Sequence, residues 1–267
     1  YPMLDVIYLS FKNIKFFGAV NIPDGFTLAN YTRVLTSKNF YNALLRSLIY
    51  TTLAVGVSFG IGLGLALLIN KKGPLQKLFR ILVLLAWPIP GVVVSLLFSW
   101  IFDGNFGILN SMLRSLGIIR QNIPWLIQTS SAFPSVVVAT IWKCYPFFTL
   151  MLLAGLQGVP AELYESAQID GANALQRFHN ITFPAIRSVV AIALLQNGLW
   201  VFRNYDLIST MTGGGPNRAT ETLPLLLYNE AFKFSRLGSA AAIGVLGLIV
   251  CSLIVILFLP TLKKQFY

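Results

Sequence analysis

Residues 238–260 read GSAAAIGVLGLIVCSLIVILFLP, an apolar run without a charged side chain. A helix needs about 20 apolar residues to cross the roughly 30 Å hydrocarbon layer of a bilayer. Within lipid only a helix or a closed barrel satisfies its own backbone hydrogen bonds. The run therefore predicts a transmembrane helix that ends near Pro260.

Other parts of the chain repeat this pattern. Runs of comparable length and hydrophobicity cover residues 43–70, 78–101, 133–157 and 184–208. Residues 1–11 are apolar but too short to cross alone, so we expect them to be the end of a truncated first helix. The predicted fold is an all-α polytopic membrane protein with six transmembrane helices, organised as a single transmembrane domain over residues 1–267.

The overall composition supports a membrane protein and excludes several other classes. Apolar residues make up 56% of the chain and charged residues 11%, against about 25% charged residues in a soluble domain. The net charge of +11 comes from scattered basic residues, so no stripe for a nucleic acid forms. Cys144 and Cys251 lie inside apolar runs, and His179 is the only histidine. We therefore expect no disulfide framework, no metal site and no bound cofactor.

The basic residues between the runs indicate the orientation, because Lys and Arg resist translocation. Residues 71–80 carry Lys71, Lys72, Lys77 and Arg80, and the tail after 260 carries Lys263 and Lys264. Both segments are predicted to be cytoplasmic, which places residues 158–183 on the same side. Connections 13–42, 102–132 and 209–237 are then external.

Glycine and proline predict packing and bending within the spans. Gly56, Gly60 and Gly64 recur every fourth residue, a pattern that lets a neighbouring helix approach one face closely. In the third run, Trp87-Pro88-Ile89-Pro90 lacks two backbone donors, so this helix must kink or break.

Residues 158–183 form the most polar cytoplasmic segment. Pro160 suits the first turn of a helix, Glu162 and Glu165 favour its positive end, and Asp170-Gly171 favours a turn. The pattern predicts two short helices. The first, with Leu163 and Ala167 on one side and an acidic flank, is too polar for lipid and suits a groove on another protein.

Three short motifs in this loop resemble a known family. Glu165-Ser166-Ala167, Asp170-Gly171-Ala172 and Ile181-Thr182-Phe183-Pro184 resemble the cytoplasmic motif of permease subunits from binding-protein-dependent ABC importers. Ser166 replaces a commoner alanine and Phe183 a commoner leucine. Residues 212–216, 220–223 and 228–232 also resemble the external loop of maltose-type carbohydrate permeases, and specifically the first of their two permease partners.

The resemblance implies a six-helix ABC importer domain with a cytoplasmic coupling helix, in the inner membrane of a bacterium. It implies a second permease subunit, two copies of an ABC ATPase, an extracellular solute-binding protein and membrane lipid as partners, and no nucleic acid. ATP and Mg²⁺ would be bound by the ATPase, since this chain has no GxxxxGK[ST] phosphate loop and is not expected to be an enzyme. The residues implied to couple to the ATPase are Glu162, Tyr164, Glu165, Ala167, Asp170, Gly171 and Ala172.

Polar residues inside a span are costly and usually face the bundle interior or water. Asn197, Trp200, Val201 and Asn204 follow helical spacing, which predicts one face with an indole between two amides, as a neutral saccharide requires. Alignment with the maltose-type family places these positions on its sugar cavity. A similar alignment on Trp142 and Pro146 implies that Thr140, Lys143, Cys144 and Phe147 line the cavity from the fourth helix.

Several alternatives remain open at this point. Asn197 and Asn204 could bond across helices, and Lys143 could reach the interface or pair with Asp206. Lys143 and Arg203 could also favour a glycerol phosphate, a glycerophosphodiester or a polyol as cargo. The remaining alternatives are a structural scaffold and an intramembrane enzyme that uses Glu162, Glu165 and Asp170. The favoured function is ATP-driven sugar import by alternating access.

Overall fold

The structure is a computed structural model that describes residues 2–14, 25–70 and 76–263. The described residues contain helices and no strand, so the expected all-α fold is confirmed. The helices are α1 (Pro2–Ser10), α2 (Ala29–Leu35), α3 (Lys38–Asn70), α4 (Gln76–Ala86), α5 (Gly91–Ile101), α6 (Ile108–Ser115), α7 (Thr129–Gln157), α8 (Ala161–Ile169), α9 (Ala174–Arg177), α10 (Phe183–Phe202), α11 (Asp206–Thr212), α12 (Leu223–Tyr228) and α13 (Leu237–Lys263).

Four helical stretches among the described residues are long and apolar enough to cross a membrane. They are Lys38–Asn70, Thr129–Gln157, Ala174–Phe202 and Leu237–Phe258. Two of the helices begin before the predicted runs. α3 begins at Lys38 where residue 43 was predicted, and α7 begins at Thr129 where residue 133 was predicted. The predicted cytoplasmic residues 71–75 and 264–267 lie outside the described parts of the chain.

The third predicted span is two helices. α4 ends at Ala86 and α5 begins at Gly91, with Trp87–Pro90 between them in an irregular conformation. Pro88 and Pro90 cannot donate backbone hydrogen bonds, which explains why the helix breaks here. The sequence predicted a kink or break at this position.

The fifth predicted span ends earlier than expected. We predicted a helix to Ile208, but α10 ends at Phe202 and a separate helix, α11, begins at Asp206. The side-chain oxygen of Asn204 accepts a hydrogen bond from the backbone N–H of Leu207 at 3.3 Å. Asn204 therefore lies in the connection, and its amide satisfies a free donor in the first turn of the next helix.

The chain divides into two compact units. The first comprises residues 1–51, 91–139 and 202–254. Its core contains the buried side chains of Val34, Phe40, Ala43, Phe202, Leu223, Leu226, Ala242 and Ile243. Ser47 of α3 accepts a hydrogen bond from the backbone N–H of Leu223 at 2.7 Å, which fixes the start of α12 against this core.

Two buried asparagines organise the connections of the first unit. Asn30 donates to the carbonyls of Ser10 and Lys12 at 2.9 and 2.8 Å. Asn110 of α6 accepts the indole N–H of Trp125 at 2.9 Å and donates to the carbonyl of Ile123 at 3.0 Å. These bonds hold segments that are distant in the sequence, because a buried amide left unpaired would be destabilising.

The second unit comprises residues 52–90, 140–201 and 255–267. Here α3 packs against α7 at Gly62, where an added Cβ would lie 2.5 Å from Cβ of Phe148. Ser58 donates to the carbonyl of Ile141 at 3.3 Å one turn away. α7 in turn meets α10 where Gly155 faces Val189.

The Gly56, Gly60 and Gly64 face of α3 does not take part in this packing. A Cβ added at any of the three would have no atom within 4 Å among the described residues. Within the described chain, α3 therefore packs closely through Gly62 and not through the face of Gly56, Gly60 and Gly64. Gly62 points to a different side of the helix from Gly60 and Gly64.

Candidate functional site

The predicted cytoplasmic segment, residues 158–183, forms the two expected short helices, α8 and α9. Pro160 precedes α8 and Glu162 lies in its first turn. The helix is followed by Gly171 with a φ of 79°, a left-handed conformation that glycine adopts without strain. The chain reverses at this residue.

A capping box begins α9, and the sequence analysis did not single it out. The Asn173 side chain accepts the backbone N–H of Gln176 at 2.9 Å, and the Gln176 side chain accepts the N–H of Asn173 at 2.8 Å. Asn followed three residues later by Gln is a sequence signal for a helix start. The box stabilises the second helix directly after the Gly171 turn.

The α8 helix presents most of its surface to the outside of the chain. None of its residues is buried, and the acidic Glu162, Glu165 and the following Asp170 are exposed. Ile169 is 86% exposed. α8 therefore exposes both an apolar and several acidic side chains, and no part of the described chain covers them.

A hydrogen bond ties the opposite side of α8 to the protein. The Tyr164 hydroxyl lies 3.0 Å from Oγ1 of Thr182, and Tyr164 and Ala167 are half-buried. Thr182 is buried at the end of a π-helical turn, Phe178–Thr182, which leads directly into α10. The bond therefore connects α8 to the residue directly before α10.

The predicted pathway residues on α7 divide into two groups. Thr140, Cys144 and Phe147 are buried and share one helical face. Lys143 is half-buried, and its ammonium donates to the backbone carbonyls of Trp87, at 2.7 Å, and Ile89. The lysine therefore binds the broken segment Trp87–Pro90.

The predicted pathway residues on α10 have three different environments. Asn197 is fully buried beside the Cys144 thiol of α7. Neither atom of its amide has a nitrogen or oxygen partner within the described parts of the chain. Val201 is buried, whereas Trp200 is 52% exposed.

The single face predicted from Asn197 to Asn204 requires correction. Because α10 ends at Phe202, Asn204 does not continue the helical spacing of the other three residues. The structure brings together Asn197 and Cys144, which lie on different helices. Their interaction, and the contact of Lys143 with the break, required a tertiary fold and had no signal in the sequence.

The carboxylates named for an intramembrane enzyme do not converge in a pocket. Glu162, Glu165 and Asp170 are all exposed on or just after α8. Among the described residues, no group of three His, Cys, Asp or Glu side chains is arranged to bind a metal ion. General acid–base chemistry requires a shielded site with a reacting group, so this geometry gives the enzyme alternative no support.

The long apolar helices define a multi-pass membrane protein, and comparison with known proteins identifies its family. Residues 56–265 match the sequence profile of the family described as "Binding-protein-dependent transport system inner membrane component". The chain belongs to this family, so the predicted family and the multi-pass inner-membrane location are confirmed. Membership makes the chain a transport component and not an enzyme.

Two relatives illustrate the similarity. The chain is 34% identical to the trehalose/maltose transport system permease protein MalF of Thermococcus litoralis, over 87% of this chain and 78% of the relative. It is 30% identical to the diacetylchitobiose uptake system permease protein DasB of Streptomyces coelicolor, over 99% of this chain and 82% of the relative.

A solved structure shares the fold. A chain from a bacterial ABC transporter involved in the import of the acidic polysaccharide alginate superimposes with a TM-score of 0.85, covering 99% of this chain and 89% of that chain. The two sequences are 23% identical. The likeness shows that the two chains share a fold.

Proposed function

We propose that this chain is one permease subunit of an ATP-driven importer for a sugar or oligosaccharide delivered by an extracellular binding protein. The carbohydrate cargo is supported by relatives named for trehalose and maltose and for diacetylchitobiose uptake. The observation that carries the proposal is α8, a helix with no buried residue that is hydrogen-bonded to the residue directly before α10.

The proposed partners follow from the family to which the chain belongs, and the exposed surface of α8 is consistent with them. A second permease subunit completes the pathway, and two ATPase subunits bind ATP and Mg²⁺, for which this chain has no phosphate loop. α8 occupies a cleft in one ATPase, with Glu162, Glu165 and Asp170 near basic groups and Tyr164, Ala167, Gly171 and Ala172 shaping the fit. The exposed carboxylates supply the charge complementarity for such a contact.

In this proposal the coupling loop transmits the motion of the ATPase to the membrane helices, and this motion drives alternating access. When ATP closes the ATPase dimer, α8 moves with it, and the Tyr164–Thr182 hydrogen bond carries the displacement to α10. The left-handed turn at Gly171 and the capping box at Asn173 keep the two short helices in a defined arrangement.

The second unit offers polar groups for a neutral cargo. Asn197 has a buried amide without a nitrogen or oxygen partner in the described segments, and burying such a group is costly unless a ligand, partner or water uses it. Trp200 supplies an exposed indole on the same helix. Lys143 is engaged by two carbonyls, so the observed contacts give a phosphorylated cargo no free ammonium on α7.

Charge reversal on α8 tests the coupling. In the assembled complex we expect Glu165→Lys to lower cargo uptake and binding-protein-stimulated ATP hydrolysis about tenfold or more, because it places a cation against basic groups. Glu165→Gln, of similar size, should have a smaller effect. Both variants should still insert in the membrane. A Glu165→Lys complex that assembles and transports at the parental rate would refute the assignment of α8.

A tryptophan pair tests the cargo pathway. Trp200→Ala should raise the KM for sugar uptake without lowering the basal ATPase rate, because an aromatic ring packs on the apolar face of a pyranose. Trp100→Ala, on the exposed surface of α5, is the matched control and should leave the KM unchanged. Competition with neutral sugars and with glycerol phosphate then separates the cargo classes. Equal KM values for the parent and Trp200→Ala would eliminate the stacking role.

A further inference from the structure

A cavity open to the surface lies in the first unit, and none of the residues assigned above lines it. Its volume is about 280 Å³, and it is formed by α2, the start of α3, the segment around residues 218–236 and the start of α13. This is close to the lower end of the range for small-molecule sites, about 300 Å³.

The cavity has a cationic rim. Arg33, Arg218 and Arg236 all line it, and Glu230 is the one carboxylate among its lining residues. Arg236 approaches Glu230 at 3.6 Å, and Arg218 pairs with Glu221, which is outside the lining, at 3.3 Å. Arg33 makes no salt bridge with any residue that the structure describes. The rim therefore retains excess positive charge and unused guanidinium donors.

The base of the cavity is apolar. Val34, Phe40, Leu226 and Ile243 line it and are buried. Phe40 lies in the first turn of α3 and Ile243 in the second turn of α13, two helices that are long and apolar enough to cross a membrane. On the topology predicted from the sequence these ends are external, so the cavity would lie near the outer boundary of the bilayer; Arg33 and Arg236 on its rim are exposed.

We propose that this cavity binds the phosphate of an anionic phospholipid from the outer leaflet. Guanidinium groups recognise phosphate through two parallel, charge-assisted hydrogen bonds. Arg33 is the guanidinium of the rim that makes no salt bridge with a described residue. Basic pockets between transmembrane helices on the cytoplasmic side bind anionic headgroups by this chemistry, and here the same groups face the other leaflet on the predicted topology. The apolar base contacts the glycerol and upper acyl region. This inference depends on the membrane topology and is independent of the cargo proposed above.

The test uses the full chain in lipid nanodiscs. Phosphatidylglycerol should remain bound to the parent after exchange into phosphatidylcholine, as measured by native mass spectrometry. Arg33→Gln should weaken retention about tenfold, the effect of losing one charge-assisted contact, and Arg33→Lys should have an intermediate effect. Lys38→Gln is the matched control, since Lys38 is an exposed cation at the start of α3 outside the cavity lining. It should retain the lipid as the parent does.

Three results would overturn the proposal. The first is equal phosphatidylglycerol retention by the parent and Arg33→Gln. The second is stabilisation by inorganic phosphate alone that depends on Arg33 while phosphatidylglycerol has no effect, which would make the site one for free phosphate. The third is weaker docking of the extracellular binding protein to Arg33→Gln with lipid retention unchanged, which would make the cavity a protein contact. None of these results bears on the coupling role of α8.

Discussion

At the residue scale, Lys143 shows how a charge is accommodated within a span. The sequence offered it as a cargo contact, whereas its ammonium binds the carbonyls of Trp87 and Ile89. The proline-containing break lacks helical hydrogen bonds, and a carbonyl left unpaired at membrane depth is costly. Lys143 thus compensates for the break and holds α7 to it.

Removing this contact should destabilise the chain. We expect Lys143→Met to lower the free energy of unfolding in detergent by about 1–3 kcal/mol, since it leaves two carbonyls without their donor. Lys143→Arg keeps donors on a long side chain and should lose less. The measurement is reversible unfolding followed by tryptophan fluorescence. A Met variant as stable as the parent would show that the two hydrogen bonds contribute nothing.

Two glycines of α3 give a second prediction at this scale. A Cβ at Gly62 would lie 2.5 Å from Cβ of Phe148 and 3.0 Å from the backbone nitrogen of Thr149, whereas a Cβ at Gly60 meets nothing within 4 Å. Gly62→Ala should therefore cost about 1–3 kcal/mol through overpacking. Gly60→Ala should be neutral or stabilising by up to about 1 kcal/mol, because alanine favours the helix.

The same unfolding measurement on the isolated chain compares both glycine variants. Equal stability of the two would contradict the close packing of α3 on α7. A selective loss for Gly60→Ala would instead indicate that the Gly56, Gly60 and Gly64 face packs within the chain.

At the element scale, the two short helices depend on the conformation of the turn between them. Gly171 has a φ of 79°, and a Cβ there would meet no neighbouring atom, so backbone strain alone decides which residues fit. Asparagine tolerates the left-handed region, whereas a β-branched residue does not.

Gly171→Val should therefore disturb coupling while Gly171→Asn is tolerated. The strain is about 1–2 kcal/mol, enough to shift α8 relative to α9. We expect binding-protein-stimulated ATP hydrolysis by the assembled complex to fall in the valine variant and to stay near the parental rate in the asparagine variant. Parental activity in both would show that the turn does not position α8.

The Tyr164–Thr182 contact gives a prediction for the mobility of α8. Tyr164→Phe removes one hydrogen bond and keeps the ring, a loss of about 0.5–1.5 kcal/mol. Amide hydrogens of residues 161–169 should then exchange about three- to tenfold faster, whereas those of α7 should not change. Hydrogen–deuterium exchange with mass spectrometry measures both. Unchanged exchange in α8 would mean that other contacts hold the helix.

At the scale of the whole molecule, the topology makes a prediction that is independent of cargo and partners. The connection between α5 and α7 and the coupling loop lie at opposite ends of α7, a single membrane crossing. Phe106, in the connection between α5 and α7, is 76% exposed, and Leu175, in the coupling loop, is 77% exposed. Cysteines at these positions should react from opposite sides of the membrane.

The experiment introduces Leu175→Cys or Phe106→Cys after replacement of Cys144 and Cys251 by alanine. An impermeant maleimide should label Phe106→Cys in cells with a permeable outer envelope and Leu175→Cys only in inverted vesicles. Labelling of both from the same side would refute the orientation derived from the distribution of Lys and Arg.

The sequence by itself determined the features that depend on local chemistry. Long apolar runs produced the spans, Pro88 and Pro90 produced the break, and Asp170-Gly171 produced the reversal. These features follow from the thickness of the hydrocarbon layer, the missing backbone donors of proline and the conformational freedom of glycine. Each of them depends only on residues that are neighbours in the sequence. The family also followed from short local motifs.

Only the tertiary structure decided which side chains meet. The contacts of Lys143 with the break, of Tyr164 with Thr182 and of Gly62 with Phe148 join residues far apart in the chain. The end of α10 at Phe202 was likewise missed, since apolar periodicity continues beyond the point where a polar connection ends the helix. Helical spacing places residues on a face, but packing against other helices determines what that face contacts.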